Sequence, residues 1–190
     1  MNYYKEYLNG VFGALENTHV TMQNNSLGCE EGIAEWCERT KVTNRNSNNI
    51  YLIGNGASAM MASHMAADAT KNGGLMAHAF NDSSLLTAVG NDIDFEEIFS
   101  YPIGRYAKEG DVLISISSSG NSKNIVKGIE KAIEKKMHVI TLSGMGEDNA
   151  IRKMGHLNFY VPAATYGHVE TAHQILLHCW LDKYCENNVQ

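Results

Sequence analysis

Two turns rich in glycine and small hydroxyls, Gly54-Asn55-Gly56-Ala57-Ser58 and Ser117-Ser118-Ser119-Gly120-Asn121-Ser122, each follow an apolar run and each open a helical pattern. The runs are Ile50-Tyr51-Leu52-Ile53 and Val112-Leu113-Ile114-Ser115-Ile116. A turn of this kind presents free backbone N–H groups at a helix N-terminus, where an anion is stabilised. Neither turn carries the lysine of a nucleotide P-loop. Gly54-x-Gly56-x-x-Ala59 also satisfies the dinucleotide fingerprint, which needs an acidic residue about 20 positions on. The strand expected at 76–80 is followed by Asn81 and Asp82, late for that role, and the serine turn would be left unused. A helix cap explains Ser119 or Ser122 but not four hydroxyls in six residues. One phosphate monoester held by both turns uses them all.

The elements that carry these turns alternate. Strands are expected at about 50–54, 76–80, 111–117, 138–143 and 157–161. Helices are expected at about 57–72, 84–107 (broken by Asn91 and Pro102), 121–136, 147–154 and 167–186. That series implies an α/β fold with a doubly wound, five-stranded parallel sheet covered on both faces. With the flavodoxin-like order 2-1-3-4-5, the two turns flank the topological switch point, where ligands bind. Ahead of the sheet, residues 2 to about 20 and about 27–42 read as two amphipathic helices separated by the polar stretch Gln23 to Ser26. Tyr4, Leu8, Phe12 and Leu15 form the stripe of the first, and Asn44 to Asn49 is a polar connector with no core residue.

At 190 residues the chain fits a single domain, 1–190, with 1–43 an N-terminal helical extension. A net charge of −6 with no cluster of Lys or Arg argues against nucleic acid as a partner. The longest apolar stretches are too short for a membrane span, and no N-terminal signal pattern is visible, so a soluble, cytoplasmic protein is expected. Cys29, Cys37, Cys179 and Cys185 lack CxxC spacing and read as reduced packing residues.

From Asn49 to about His178 the sequence resembles the sugar isomerase (SIS) domain, and more closely the sedoheptulose-7-phosphate isomerase family. The resemblance rests on GNGAS at 54–58, His64-Met65-Ala66-Ala67-Asp68, Val89-Gly90-Asn91-Asp92, SSSGNS at 117–122, and Glu170-Thr171-Ala172-His173 with His178. It implies conversion of sedoheptulose 7-phosphate to a D-glycero-D-manno-heptose 7-phosphate product, for activated heptose and surface polysaccharide. It also implies a homotetramer with active sites between subunits. Asn55, Gly56, Ser58, Asp92, Ser117, Ser118, Ser119, Ser122 and Glu170 match substrate-binding positions. Asp68, Glu170 and His178 match catalytic ones, and His64, Asp68, Glu170 and His178 match the ligands of one zinc ion per subunit.

The residue types suit that chemistry. Aldose–ketose isomerisation needs a base to move a proton between adjacent carbons through an enediol, and an acid to serve the oxygens. His64 and Asp68, four apart, share a helix face. Glu170 and His178, eight apart, lie about 80° around and about 12 Å along an ideal helix, near the limit for meeting on one ion. A helix starting after Glu170, or ligands from a neighbouring chain, would relieve that strain, with His168 and His173 in reserve. The family has glutamate where this chain has Asp68 and glutamine where it has Glu170, so either carboxylate is a candidate base. His19, His138 and His156 read as packing residues, and His78 either faces the cleft or packs beneath it. The Glu130, Lys131, Glu134, Lys135 and Lys136 cluster reads as a solvated face. The rival function is a non-catalytic SIS-fold module, either a phosphosugar binder or a tetrameric scaffold of the kind that associates with the replication initiator. Acid–base groups beside a phosphate loop favour the enzyme.

Overall fold

Apolar strands with no polar alternation demand cover on both faces. The computed structural model, which describes residues 2–23 and 25–186, provides it. Its parallel core comprises β3 (Ile50–Gly54), β4 (Ala77–Ala79), β5 (Val112–Ser117), β6 (His138–Gly144) and β7 (Leu157–Val161). In space they run β4-β3-β5-β6-β7, the expected switch-point order. β3, β5 and β7 are buried throughout, and β6 is buried after His138.

Helices α2 (Cys29–Arg45), α3 (Ala57–Lys71) and α7 (Tyr166–Glu186) pack on one face over Leu52, Ile114, Ile116 and Phe159. The Trp36 and Trp180 rings of α2 and α7 stack at 4.8 Å, and Trp180 Nε1 donates to Thr40 Oγ1 at 2.9 Å. Helices α4 (Ser83–Asp92), α5 (Ser100–Tyr106) and α6 (Lys123–Glu134) cover the other face over Ile53, Leu113 and Val139. α6 is amphipathic at Ile125, Ile129 and Ala132.

The sheet is longer than the sequence suggests. Where one helix was expected to reach residue 20, α1 (Tyr3–Glu16) ends early and a hairpin of β1 (His19–Met22) and β2 (Asn25–Leu27) follows. β1 pairs antiparallel with β7, giving seven strands in the order β2-β1-β7-β6-β5-β3-β4. The hairpin covers what would otherwise be an open edge. In β1 only Val20 is buried, so no apolar alternation announces the strand.

The long helix expected at 84–107 breaks after Asp92, where the Asp94 side chain caps the 3-10 turn Phe95–Glu97 by accepting from Glu96 N at 2.7 Å. Asn91 stays inside α4, and Pro102 sits in the first turn of α5, where its missing N–H costs nothing. The stretch expected as a helix at 147–154 is a 3-10 turn, Ala150–Lys153. The polar connector does hold a core residue. Buried Asn48 donates to Asp111 Oδ1 at 3.0 Å, and Asp111 also accepts from Asn49 N and Lys108 N, tying the entries of β3 and β5 together.

α1 lies against α7, with Tyr7 edge-on to His168 at 4.6 Å and Val11 and Ala14 buried. Its Tyr4, Leu8 and Phe12 stripe faces outward, 72%, 37% and 60% exposed, so the core does not use it. No helix among the described residues is long and apolar enough to cross a membrane.

His138 and His156 stack at 4.6 Å, and burial pushes His138 down to about 3. His173 is fully buried; its Nε2–H donates to the Ser143 carbonyl at 3.1 Å, while Nδ1 has no partner among the described residues. Burial pushes it down to about 4 against a slight upward pull from that bond. In the unfolded chain this imidazole takes a proton near pH 6.5, and in the folded chain it resists until about pH 4. Stability is therefore whole above pH 6.5 and is lost as pH falls through that window, by roughly 2–3 kcal/mol for this residue. Thermal denaturation between pH 7 and pH 4 should show a smaller loss in His173→Gln than in the parent, and equal slopes would refute the assignment.

Candidate active site

β3 and β5 are neighbours in register, Ile50 opposite Val112 through Gly54 opposite Ile116, so the chain leaves both at the same edge. Past that edge the two turns form the walls of a cleft of about 240 Å³. Asn55, Gly56, Ala57 and Ser58 line one side; Ser117, Ser118, Ser119 and Ser122 line the other; Tyr166 and Glu170 close it. Three helices begin at this cleft: α3 after Gly56, α6 after Ser122 and α7 at Tyr166. Their partial positive ends favour a multiply charged anion there.

Backbone geometry explains the glycines. Gly56 has φ of +55°, and Gly120 has φ of +64°, with a Cβ placed there only 2.0 Å from Asn149 Oδ1. A side chain at Gly120 would drive the serine turn off the buttress that Asn149 and Ala150 form beneath it, where Ala150 N donates to Asn121 Oδ1 at 2.9 Å.

The four serines do not play one part. Ser117 Oγ accepts from Gly120 N at 3.2 Å and holds the turn, and Ser119 Oγ accepts from Asn121 N at 3.3 Å. Ser118 Oγ is buried with no partner among the described residues, and Ser122 sits at the α6 N-cap without making a side-chain capping bond. A buried hydroxyl left unpaired at a cleft wall is what a ligand oxygen satisfies.

α3 and α7 run away from the cleft side by side. Gln174 Nε2 donates to Met65 Sδ at 3.4 Å, and the His64 and His178 rings meet edge-on at 5.5 Å. Between them a groove of about 620 Å³, lined by Ala57, Met61, Glu170, Thr171, Gln174, Ile175, His178, Cys179 and Asp182, continues the cleft and shares Ala57 and Glu170 with it. Glu170 thus borders both spaces. His64 Nε2 lies 3.4 Å from Asp68 Oδ2, as their helical spacing predicts, and neither residue lines the cleft or the groove.

Not every expected site residue joins. Asp92 is exposed at the end of α4, accepts from Asn91 Nδ2 at 2.8 Å, and lines neither space. α7 starts before Glu170, so Glu170 and His178 stand eight helical positions apart, one at the serine cleft and one beside His64. The 3.4 Å between His64 Nε2 and Asp68 Oδ2 suits two ligands on a tetrahedral ion with bonds of about 2 Å. Yet no group of three or more His, Cys, Asp or Glu among the described residues is gathered to hold a metal. The expected four-ligand set does not fit the side-chain positions of one chain, because the helical rise separates Glu170 from the histidine pair.

Of the reserve histidines, His173 is a buried core residue and His168 packs on Tyr7. His78 is exposed on edge strand β4, its ring 5.8 Å from Tyr51. The four cysteines are free, but Cys179 is exposed on the groove rather than packed. Tyr166, Thr171, Gln174 and Asp182 were not legible as site residues; only the i, i+4 spacing of Tyr166, Gln174 and Asp182 with Glu170 and His178 along α7 carries a signal.

A doubly wound sheet with serine- and glycine-rich turns at its switch point, opening on a groove that carries Glu170 and His178, defines a phosphosugar-handling α/β domain. The family model of the SIS domain matches residues 21–144. A phosphoheptose isomerase of Dechloromonas aromatica is 37% identical over 145 residues, 72% of this chain and 74% of that protein. The structure of phosphoheptose isomerase GmhA from Neisseria gonorrhoeae superposes with a TM-score of 0.81 at 31% identity, covering 96% of this chain and 95% of its own. That of a phosphoheptose isomerase from Francisella tularensis reaches 0.83 at 25%, covering 98% of each. The chain belongs to the SIS domain family, among the phosphoheptose isomerases.

The two uncommitted hydroxyls generate a ranking. Ser118→Ala and Ser122→Ala should each weaken inorganic phosphate binding by about 0.5–1.5 kcal/mol with little change in melting temperature. Ser117→Ala should chiefly loosen the turn and lower stability. Calorimetric titration with thermal melts of the three variants checks this, and unaltered affinity in both Ser118→Ala and Ser122→Ala would remove the serine turn from the site.

Proposed function

We propose that this chain is an aldose–ketose isomerase converting sedoheptulose 7-phosphate to D-glycero-D-manno-heptose 7-phosphate, a step toward activated heptose for surface polysaccharide. The observation that carries this reading is Glu170, whose position borders both the anion cleft and the long groove. A sugar phosphate anchored at the serine turn has room to extend past Glu170 toward His178 in the groove of about 620 Å³.

The chemistry follows from placement. The phosphate is held by the three helix N-termini and the Ser118 and Ser122 hydroxyls. The Glu170 carboxylate takes the proton from C1 of the open-chain ketose, leaving an enediolate, and returns it to C2 to give the aldose. His178 passes a proton between the two oxygens as the carbonyl moves from C2 to C1 and serves the ring oxygen on opening. The His64–Asp68 pair abuts the His178 ring and orients it. Asp68 is thereby a positioning residue, and Glu170, longer by one methylene, is the base.

Zinc stands as a separate proposal. His64 and Asp68 would supply two of its ligands and a neighbouring chain the others, and no step above runs through it. A cytoplasmic site of action suits a phosphorylated sugar substrate. We propose a homotetramer, supported by the outward Tyr4, Leu8 and Phe12 stripe of α1 together with exposed Met60 of α3 and Tyr166 and Ile175 of α7.

Glu170→Gln and His178→Ala should lower turnover of sedoheptulose 7-phosphate by about two to four orders of magnitude while phosphate binding persists. Asp68→Asn should cost about tenfold or less if it acts through His64. A larger loss in Asp68→Asn than in Glu170→Gln would reverse the assignment of the base. No turnover in the parent protein would leave a non-catalytic phosphosugar binder. Zinc measured by mass spectrometry in the parent and in His64→Ala tests the metal independently of activity: binding predicts near one ion per chain, lost in the variant.

Light scattering at micromolar concentration should give four chains per particle, and Phe12→Glu should reduce that mass because it puts a charge into an apolar contact. A monomeric parent would refute the assembly.

A further inference from the structure

The β3–β5 ladder ends at Gly54 opposite Ile116, and beyond it the two turns have no backbone pairing to keep them at a set distance. Among the described residues a side-chain amide pair spans the gap. Asn55 Nδ2 donates to Asn124 Oδ1 at 2.9 Å, and Asn124 Nδ2 donates back to Asn55 Oδ1 at 3.0 Å. Asn124 is the second residue of α6, only 3% exposed, and its Oδ1 also accepts from Ile125 N at 2.9 Å. That third bond settles which end of the Asn124 amide is oxygen, and the reciprocal pair then settles Asn55. Residues 69 apart in sequence are joined by two hydrogen bonds beside the anion cleft, which Asn55 lines.

We propose that Asn124 is a positioning residue for substrate phosphate, acting through Asn55 to hold the glycine turn and the serine turn at the separation at which both sets of N–H groups reach one anion. Asn55 then serves the ligand through the placement of its turn, since both ends of its amide are committed to Asn124. Phosphate binding by these turns is part of the reading above, and the inference rests on it. An anion cradle made of backbone N–H groups is only as good as its spacing, because an N–H···O bond weakens steeply outside about 2.7–3.2 Å. Two turns on separate loops meet that tolerance only if something links them. A buried amide pair is suited to the task, being uncharged, directional and costly to leave half-satisfied.

The test is a double-mutant cycle of Asn55→Ala and Asn124→Ala, read as the Kd for inorganic phosphate by calorimetry and as KM and kcat for sedoheptulose 7-phosphate, with circular dichroism to confirm folding. If the pair acts as one unit, each single variant weakens phosphate binding by about tenfold and the double variant by no more than either single one. KM should rise by a similar factor while kcat stays within about twofold, because phosphate is held equally in ground and transition states. Losses that multiply would overturn the clamp and make Asn55 an independent phosphate ligand through its second Nδ2 hydrogen. So would parent-like affinity in Asn124→Ala. Should the alanine variants fail to fold, a crystal structure of the parent with inorganic phosphate decides: the amide pair intact with phosphate on the backbone N–H groups supports the clamp, and Asn55 swung onto phosphate overturns it. Failure of the parent to bind phosphate would overturn the phosphate site and the clamp together, whereas normal parental binding with multiplying losses removes the clamp alone.

Discussion

The parallel pairing of β3 with β5 is the constraint on which the remaining architecture depends. It sets Gly54 beside Ile116, so that two stretches of chain far apart in sequence leave the sheet at one point and turn into helices there. Parallel strands cannot be joined by a tight turn, and the crossover through α3, β4, α4 and α5 separates the strands in sequence while leaving them adjacent in space. Each strand end then delivers a helix N-terminus to the same cleft, and an anion becomes the natural occupant.

The same sheet places the acid–base groups. α3 follows β3 and α7 follows β7, both on one face, so they start at the same edge and run in the same direction over the Leu52 and Ile116 core. Side chains of the two helices meet across the contact, Gln174 with Met65 and His178 with His64. A groove bounded by two parallel helices lengthens the anion cleft in one direction only. This favours a substrate with its phosphate at one end and its reacting carbons at the other, and it separates the charge-binding function from proton transfer.

The division of labour proposed for Glu170 and Asp68 is coherent in this geometry. The longer carboxylate borders the cleft and the groove, and the shorter one lies 3.4 Å from its helical neighbour His64. A carboxylate close to bound phosphate is tolerable because three helix N-termini and a ring of hydroxyls offset the added charge.

Features set by contiguous residues were legible in the sequence. The two turns, the five parallel strands and the His64–Asp68 pair follow from local spacing, since helical and strand geometry fix where neighbours point, whereas the strand order could only be supposed until the sheet was seen. The helix limits were legible where a cap or an apolar stripe marks them; the β1–β2 hairpin was not, because only Val20 of β1 is buried and pairing with β7 supplies its hydrogen bonds. Nor could the sequence divide the serines into those that brace the turn and those left free, or join Asn55 to Asn124. The outward direction of the α1 stripe likewise depends on Val11 and Ala14 winning the contact with α7 and the core. Spacing along one helix was enough to doubt that Glu170 and His178 share an ion, but only the packing of α7 on α3 decided that one faces the anion cleft and the other a histidine. Residues on a single element are related by fixed helical geometry, whereas residues on different elements are related by how buried surfaces pack, which no local pattern records.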